Sequence, residues 1–181
     1  MLETVTNLVF DLGYIGFFFY MVVVGTFVPL PTQLILIPSG YLVSQGKLDF
    51  ATIVLVTSTG TTIGALINYH LSSFLSERLM NKSKLEKVKR FFKKYGKISV
   101  FLAPLTFGLG QYISIPAGMA KMPLFWFIPL IFLSNSIWSS AMLLLGYLFG
   151  TSVDKEVTYL AIGGVVFVVV IISSLVYKEL K

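Results

Sequence analysis

The chain contains no cysteine and one histidine, and only 12% of its 181 residues are charged. Without cysteine it can form neither a disulfide nor a thiolate nucleophile or metal ligand. No Asp or Glu occurs between Asp11 and Asp49, between Asp49 and Glu77, or between Glu86 and Asp154. Hydrolytic enzymes need a nucleophile with a base, paired carboxylates or a metal cluster. The sequence therefore predicts that the protein is not an enzyme and binds neither a metal nor a cofactor.

What the sequence does contain is apolar residues, which make up 56% of the chain, whereas a soluble domain has about 25% charged residues. Four stretches have roughly the 17 to 25 residues that cross a bilayer as a helix: 12–28, 50–75, 123–150 and 157–177. Two further apolar stretches, 28–43 and 98–118, are interrupted by Pro and Gly. The sequence predicts one all-α integral membrane domain over residues 1–181, with no soluble module.

The positive charge is concentrated in one segment, because nine of the fourteen Lys and Arg residues lie between Arg78 and Lys97. Short basic loops stay in the cytoplasm, so we expect 77–97 to be cytoplasmic and, in a prokaryote, the protein to lie in the plasma (inner) membrane. Stretch 12–28 is then expected to run outward from a cytoplasmic N-terminus, and 50–75 to run inward. Apolar residues recur at helical spacing in the segment, and Gly96 is a plausible helix stop.

This basic amphipathic segment has two interpretations. It either anchors the topology or recruits anionic lipid head groups at the cytoplasmic leaflet. Because the charge is local, it does not indicate a nucleic-acid partner.

The two interrupted stretches end alike, with Ile-Pro-Ser-Gly at 37–40 and Ile-Pro-Ala-Gly at 115–118. The offset of 78 residues gives ten identities over the 37 positions 33–69, including Gln33 with Gln111 and Tyr69 with Tyr147. One crossing separates the copies, so they face opposite ways, as in the inverted repeats of transporters. We expect two opposed re-entrant hairpins, about 28–43 and 98–118, whose prolines are tolerated because these segments are buried in protein. The alternative is an ordinary proline-kinked span.

Several motifs resemble the DedA family, also called the SNARE-associated or VTT-domain family. They are P-x-P at 29–31, Gly40, the run from Gly64 to Asn68-Tyr69, R-F-F-x-x-x-G at 90–96, the stretch 113–123, N-x-x-W at 135–138 and Gly146-Tyr147. The resemblance covers residues 12–150. It implies a fold with two opposed re-entrant hairpins and a role in moving lipids between leaflets, undecaprenyl phosphate or phospholipids in prokaryotes.

The ionisable residues of that family are missing. Gln33 and Ala65 stand where family members carry acidic residues, and Pro104 and Gly110 stand where they carry two arginines. Ionisable groups inside a bilayer are costly and usually functional. We therefore expect neither proton coupling nor an arginine clamp on phosphate.

The polar groups that remain at hairpin depth are the candidates for binding a lipid head group. They are Gln33, Thr32, Thr106, Gln111, Tyr112 and Lys121. The hairpins are expected to depend on Pro29, Pro31, Pro38, Gly40, Pro116 and Gly118. The glutamines either bind a head group or satisfy backbone freed by the prolines, and Lys121 is either an anchor or a phosphate contact. Small residues around Gly60 and at 134–136 favour helix packing over a polar conduit.

These observations favour a lipid translocase or scramblase-like membrane protein that moves phospholipid or polyprenyl-phosphate lipid and is not proton-coupled. A non-transporting structural or assembly protein and a small-molecule exporter are the alternatives, although a cation exporter would be expected to hold a membrane carboxylate. Membrane lipids are the expected partners, and homo-oligomerisation is left open.

Overall fold

The computed structural model describes residues 2–28, 30–79, 82–105 and 110–150, with side chains for all of these except 2–6, 77–79, 82, 84 and 111. This part of the chain is helical and contains no strand, which confirms the predicted all-α class. Its α-helices are α1 (Leu2–Asp11), α2 (Gly13–Gly25), α3 (Gln33–Ser44), α4 (Phe50–Leu79), α5 (Lys82–Leu102), α6 (Ser114–Met119) and α7 (Leu124–Gly150). Short 3-10 turns occupy Ala103–Leu105 and Gly110–Ile113. The helix predicted at 157–177 lies outside the described residues.

Helices α4 and α7 are the two long apolar helices. They contain 30 and 27 residues, and at about 1.5 Å per residue each is longer than the roughly 30 Å hydrocarbon core of a bilayer. Large apolar side chains on both remain exposed, among them Leu55, Leu133 and Phe125, the last 79% exposed. The predicted spans 50–75 and 123–150 are therefore confirmed as helices long and apolar enough to cross a membrane.

Helices α4 and α7 cross in an antiparallel arrangement. The ring of Tyr69 lies 5.0 Å from the ring of Phe127, centroid to centroid. The hydroxyl oxygens of Thr57 and Ser139 lie 3.2 Å apart, within hydrogen-bonding distance. Because Thr57 precedes Tyr69 on α4 while Ser139 follows Phe127 on α7, the two helices point in opposite directions.

Helix α2 runs parallel to α4, which corrects the prediction for 12–28. At the start of both helices the backbone N–H of Asp49 donates to the Tyr14 hydroxyl at 3.0 Å. At the end of α2, Nδ2 of Asn68 donates to the carbonyl oxygen of Gly25 at 3.3 Å. Helix α2 has 13 residues, about 20 Å, and is too short to span. Gly13, whose φ is 58°, separates α2 from α1 at the start of the apolar run, and α2 ends at Gly25 before the run is complete.

Helix α3 returns beside α7 and in the same direction as α7. At its start, Nε1 of Trp138 donates to Thr32 Oγ1 at 3.3 Å. Nearer its end, Gly40 lies so close to the backbone of Leu143 and Tyr147 that a methyl group at Gly40 would collide with it. Helix α2, the reversal at 26–32 and α3 therefore form one hairpin, of which the predicted segment 28–43 is only the second half.

Pro38 and Pro116 both lie within helices and do not interrupt them. Pro38 lies inside α3 without ending it, and the Ser39 hydroxyl there donates to the carbonyl oxygen of Ile35 at 2.6 Å. Pro116 lies in the first turn of α6, where the missing N–H is not needed. The chain reverses instead at 26–32, which contains Pro31; Pro29 lies outside the described residues.

The second hairpin packs in the reciprocal way. The C-terminal half of α5 runs beside α7, where Lys97 Nζ lies 3.4 Å from the centroid of the Trp126 ring and Ser134 Oγ donates to the carbonyl oxygen of Phe101 at 2.6 Å. Helix α6 then returns beside α4. In the first hairpin, the first limb α2 packs on α4 and the second limb α3 packs on α7. In the second hairpin, the first limb α5 packs on α7 and the second limb α6 packs on α4.

The 78-residue register relates the tight contacts of these second limbs. Gly40 of α3 meets the backbone at Tyr147 of α7, and Gly118 of α6 meets the backbone carbonyl of Tyr69 of α4. Gly118 follows Gly40, and Tyr147 follows Tyr69, by the same 78 residues. The repeat seen in the sequence therefore corresponds to a repeat of contacts.

Helix α5 continues to Leu102, so the predicted stop at Gly96 is wrong. A glycine inside a helix costs only about 1 kcal/mol relative to alanine, and Gly96 here lies against the ring of Phe92. Leu85, Phe92 and Val100 are buried along one side. The exposed residues include Lys87, Arg90, Lys93 and Lys94. The helix is amphipathic as predicted, and its basic half leads directly into a hairpin limb.

Candidate functional site

The tips of the two hairpins contact neighbouring turns of α7. Trp138 holds the first tip through its hydrogen bond to Thr32, and Ser134 holds the second through its hydrogen bond to Phe101. Residues four apart on a helix lie on the same face. One face of α7 therefore receives both tips.

Further contacts hold the first tip and join it to the second. The Tyr20 hydroxyl of α2 donates to the carbonyl oxygen of Pro31 at 3.2 Å. Leu30 of the first tip and Leu105 of the second pack in one apolar cluster. The oppositely directed hairpins thus share a core where their tips lie.

The predicted head-group residues lie at these tips where the structure describes them. Thr32 accepts the Trp138 hydrogen bond. Gln33 begins α3 and Tyr112 lies in the second 3-10 turn, and both are half-buried. Gln111 belongs to the same turn, but its side chain and the whole of Thr106 lie outside the described part.

Lys121, the last of these candidates, ends α6 in a strained backbone conformation. Its φ of 53° lies in the left-handed region that glycine usually occupies. The N–H of Lys121 donates to the carbonyl oxygen of Gly118 at 2.9 Å, and the N–H of Met122 to that of Ala117 at 3.1 Å, the two bonds of a Schellman cap. Helix α3 ends in the same cap with Gly46 at the left-handed position. Glycine adopts this backbone conformation with less strain than lysine does. The presence of Lys121 at this position therefore favours a role for its side chain.

The buried polar side chains of the described residues are all uncharged. They are Ser39, Thr57, Ser58, Thr62, Asn68, Ser72, Ser76, Ser114, Ser134, Asn135 and Ser139. Most lie on α4 and α7, so the two long helices supply the polar groups of the core. These groups can donate and accept hydrogen bonds.

Most of these hydroxyls are satisfied within their own helix. Thr57 Oγ1 donates to the carbonyl oxygen of Ile53, and Thr62 Oγ1 to that of Ser58, both at 2.7 Å. Among the described residues, Ser58 Oγ and Asn135 Nδ2 are the buried side-chain atoms without a hydrogen-bond partner. Sequence reasoning assigned both residues to helix packing, because composition does not show which small polar side chain has a partner.

Comparison with known proteins decides the family. The VTT domain model matches residues 28–148, well over half of the chain. The chain belongs to the DedA family of VTT-domain proteins.

The relatives of this DedA-family chain include named transporters. Undecaprenyl phosphate transporter A of Staphylococcus aureus is 26% identical over 194 aligned positions, which cover 100% of this chain and 96% of the relative. The protein of the same name in Bacillus subtilis is 29% identical over 154 positions, covering 80% and 75%. A Lactococcus lactis protein named alkaline phosphatase-like protein is 29% identical over 164 positions, covering 83% and 77%. No solved structure gives a significant match.

Two positions at which the family resemblance led us to expect charged residues are closed in the structure. Ala65, at an expected acidic position, is 3% exposed and packs with Tyr69 and Phe127. At Gly110, an expected arginine position, any side chain would collide with the backbone of Ala103. A charged side chain would therefore fit at neither position without movement of the surrounding backbone or side chains.

A groove of about 280 Å³ lies between α4, α6 and the end of the first hairpin limb. Its apolar lining comes from Phe27, Leu71, Leu75, Ile115 and Met119, and its polar lining from Asn68, Ser72 and Ser76. The three polar residues are spaced by four along one side of α4 and are buried. A groove of this chemistry suits a hydrocarbon chain.

Proposed function

We propose that this protein moves phosphate-bearing lipids, either phospholipid or polyprenyl phosphate, between the leaflets of a membrane without proton coupling. Family membership and relatives named undecaprenyl phosphate transporter A support the class of substrate. The structural observation that carries the proposal is the contact of two oppositely directed hairpin tips with one face of α7.

Each hairpin is proposed to enter the membrane to mid-depth and return. Helices α2 and α3 have 13 and 12 residues, about 20 Å each, which is roughly half of the 30-residue α4. Non-helical backbone is tolerated in a bilayer where protein covers it, and Tyr20 and Trp138 bind the first tip. A head group crossing the membrane would then meet the polar tip residues Thr32, Gln33 and Tyr112.

The movement is proposed to be passive. A coupled carrier needs a group that takes up a proton on one side and releases it on the other, and the buried polar residues in the described part are serine, threonine and asparagine. Hydroxyl and amide groups lower the cost of carrying a head group through the protein while the lipid tails remain in hydrocarbon. Net flow then follows the lipid concentration difference.

The proposed orientation places the basic helix α5 at the cytoplasmic face of the plasma (inner) membrane of a prokaryote. Helix α4 then runs inward, and α2, which is parallel to it, starts on the outer side. This replaces the cytoplasmic start expected for 12–28. Lys121, at the end of α6, would face the cytoplasmic head groups, and a crossing at 157–177 would return the chain to the cytoplasm.

The test is a liposome assay that follows several labelled lipids across the bilayer with and without a pH gradient. We expect faster exchange than in protein-free liposomes, at a rate that the gradient does not change. Gln33→Leu with Gln111→Leu should slow exchange by removing two groups that can bind a head group, while Gln45→Leu, at an exposed position after α3, should not. Exchange no faster than in protein-free liposomes would reject the function. Lipid accumulation driven by the gradient would reject the uncoupled mechanism.

A structural or assembly role is the second candidate, favoured by the closed backbone at Gly110 that leaves no space for an arginine. Such a protein would fail to accelerate exchange of any lipid. We propose no phosphatase activity, because the described residues bring no three His, Cys, Asp or Glu side chains together where a hydrolase needs them. Release of phosphate from p-nitrophenyl phosphate would contradict this.

A further inference from the structure

Ser58 and Asn135 are exceptional within the described ranges because their buried hydrogen-bonding atoms are unpaired. Ser58 is 0% exposed and Asn135 is 8% exposed. A buried donor without a partner has lost its bonds to water and gained none, so each instance needs an explanation. Ser136, the repeat counterpart of Ser58, shows the ordinary arrangement: its hydroxyl donates to the carbonyl oxygen of Phe132 at 2.9 Å.

Both residues lie in the crossing of α4 and α7. The pairs Tyr69–Phe127 and Thr57–Ser139 show that 57–69 of α4 faces 127–139 of α7 in antiparallel register. In this register Ser58 is level with position 138, and Asn135 lies three residues away, about 4.5 Å along the helix axis. The two unpaired side chains therefore belong to one region of the core.

This region is also where the hairpin tips contact α7. Ser134 and Trp138, which bind the tips at Phe101 and Thr32, lie immediately before Asn135 and one turn after it. A head group that passes between the tips and α7 would therefore pass Asn135.

We propose that Ser58 Oγ and Asn135 Nδ2 form a transit site for the phosphate oxygens of a lipid head group. This inference rests on the proposed function and identifies the groups that would receive the substrate at mid-depth. The amide N–H and the hydroxyl both donate, so the complementary group is an acceptor, and an anionic oxygen is the strongest acceptor in such a head group. The donors are unpaired while the tips rest on α7, and a phosphate oxygen satisfies them when the tips separate.

Neutral donors suit a site that must also release its ligand. A buried lysine or arginine would bind phosphate by charge as well as by hydrogen bonds and would raise the cost of release. Ser58 and Asn135 offer hydrogen bonds alone, in a core whose described buried side chains carry no charge. The site therefore lowers the barrier to passage without retaining the lipid.

Direct binding tests the site independently of transport. The chain has two tryptophans, so Trp126→Phe leaves Trp138, one turn from Asn135, as the fluorescent reporter. Dodecyl phosphate is titrated into the full-length protein in detergent, with dodecanol as the matched probe without phosphate. We expect a saturable change in Trp138 fluorescence with dodecyl phosphate and none with dodecanol. Asn135→Leu should weaken the binding of dodecyl phosphate about tenfold or more, the effect of one hydrogen bond to a charged group. Ser136→Ala should leave this affinity unchanged.

Thermal unfolding separates a binding role from a structural one. Asn135→Leu keeps a similar volume and removes an unpaired buried group, so its Tm should equal or exceed that of the wild type. Asn68→Leu, which loses hydrogen bonds to Gly25 and Ser114, should lower Tm. A fall in Tm for Asn135→Leu as large as that for Asn68→Leu would overturn the proposal.

The remaining outcomes distinguish this site from the proposed function. Equal dodecyl phosphate binding by Asn135→Leu and the wild type, or no saturable binding by either, rejects the site. Saturable binding that depends on Asn135, in a protein that exchanges no lipid in liposomes, supports the site and rejects the proposed function.

Discussion

Replacing Gly40 with alanine tests the contact between α3 and α7 on which the interlocked hairpins depend. A methyl group at this position would collide with the carbonyl oxygen of Leu143 and lie 2.9 Å from the backbone nitrogen of Tyr147. Both obstacles are backbone atoms, which cannot rotate away as a side chain can. Helix α3 would have to move off α7.

The expected loss of stability is the difference between two effects. Overpacking a close contact costs about 1–3 kcal/mol, and the rigid obstacle favours the upper end of that range. Alanine is favoured over glycine inside a helix by about 1 kcal/mol. Gly40→Ala should therefore lower the free energy of unfolding by about 2 kcal/mol. Gly96→Ala is the matched control, because its three nearest neighbours are atoms of the Phe92 side chain rather than of a backbone, and it should gain up to about 1 kcal/mol.

Equilibrium unfolding of the two purified variants in mixed micelles measures this difference. We expect Gly40→Ala to be less stable than Gly96→Ala by about 3 kcal/mol. The same assay on Gly118→Ala should give a loss similar to that of Gly40→Ala, since its methyl group would meet the carbonyl of Tyr69. If Gly40→Ala were as stable as Gly96→Ala, the close approach of α3 to α7 would be refuted.

Three further predictions follow from other parts of the molecule. Lys121→Gly should raise the free energy of unfolding by about 1 kcal/mol, because a non-glycine residue in the left-handed region is strained. The same change should slow lipid exchange in liposomes, because it removes the positive charge. A lower free energy of unfolding would contradict the cap geometry. Hydrogen bonds from the Thr52 hydroxyl and, second, from the Thr52 backbone N–H lower the pKa of Asp49 in the folded protein. The ionised Asp49 therefore stabilises the fold at pH values above its unfolded pKa of about 3.9, and this contribution is lost as the pH falls through the lower folded pKa. Tm should therefore fall on acidification more in the wild type than in Asp49→Asn, and equal pH profiles would argue against it. Single cysteines in this cysteine-free chain should label from the cytoplasm at Lys87 and Lys94 and from outside at Asp11 and Lys47; cytoplasmic labelling at Asp11 would refute the parallel arrangement of α2 and α4.

The sequence was sufficient to predict the two long helices because an apolar run of that length has few other interpretations. It was insufficient at 12–28, where the same composition fits one span or a shorter limb preceded by another helix. The distinction depends on Gly13, whose left-handed backbone turns the chain between α1 and α2, and on the contact of Tyr14 with Asp49, which shows the direction of α2. Neither appears in a hydropathy profile.

The candidate site was predictable to a similar degree. The sequence placed Thr32 and Gln33 at hairpin depth, and the structure places them at the tip of a hairpin. Ser58 and Asn135 were assigned to packing because they lie in runs of small residues, which favour close helix approach. Only the hydrogen-bond geometry of the folded chain shows that Ser58 Oγ and Asn135 Nδ2 have no partner.

The contacts that interlock the two hairpins are made by backbone and uncharged side chains. Interlocking of the hairpins requires close backbone approach at Gly40 and Gly118 and a place for each tip on α7. None of these contacts uses an ionised group. The contacts that hold this scaffold together therefore do not depend on charge. Hydroxyl and amide donors can stabilise a phosphate oxygen by hydrogen bonds. This chemistry is the reason why passive exchange, rather than coupled transport, is the function proposed above.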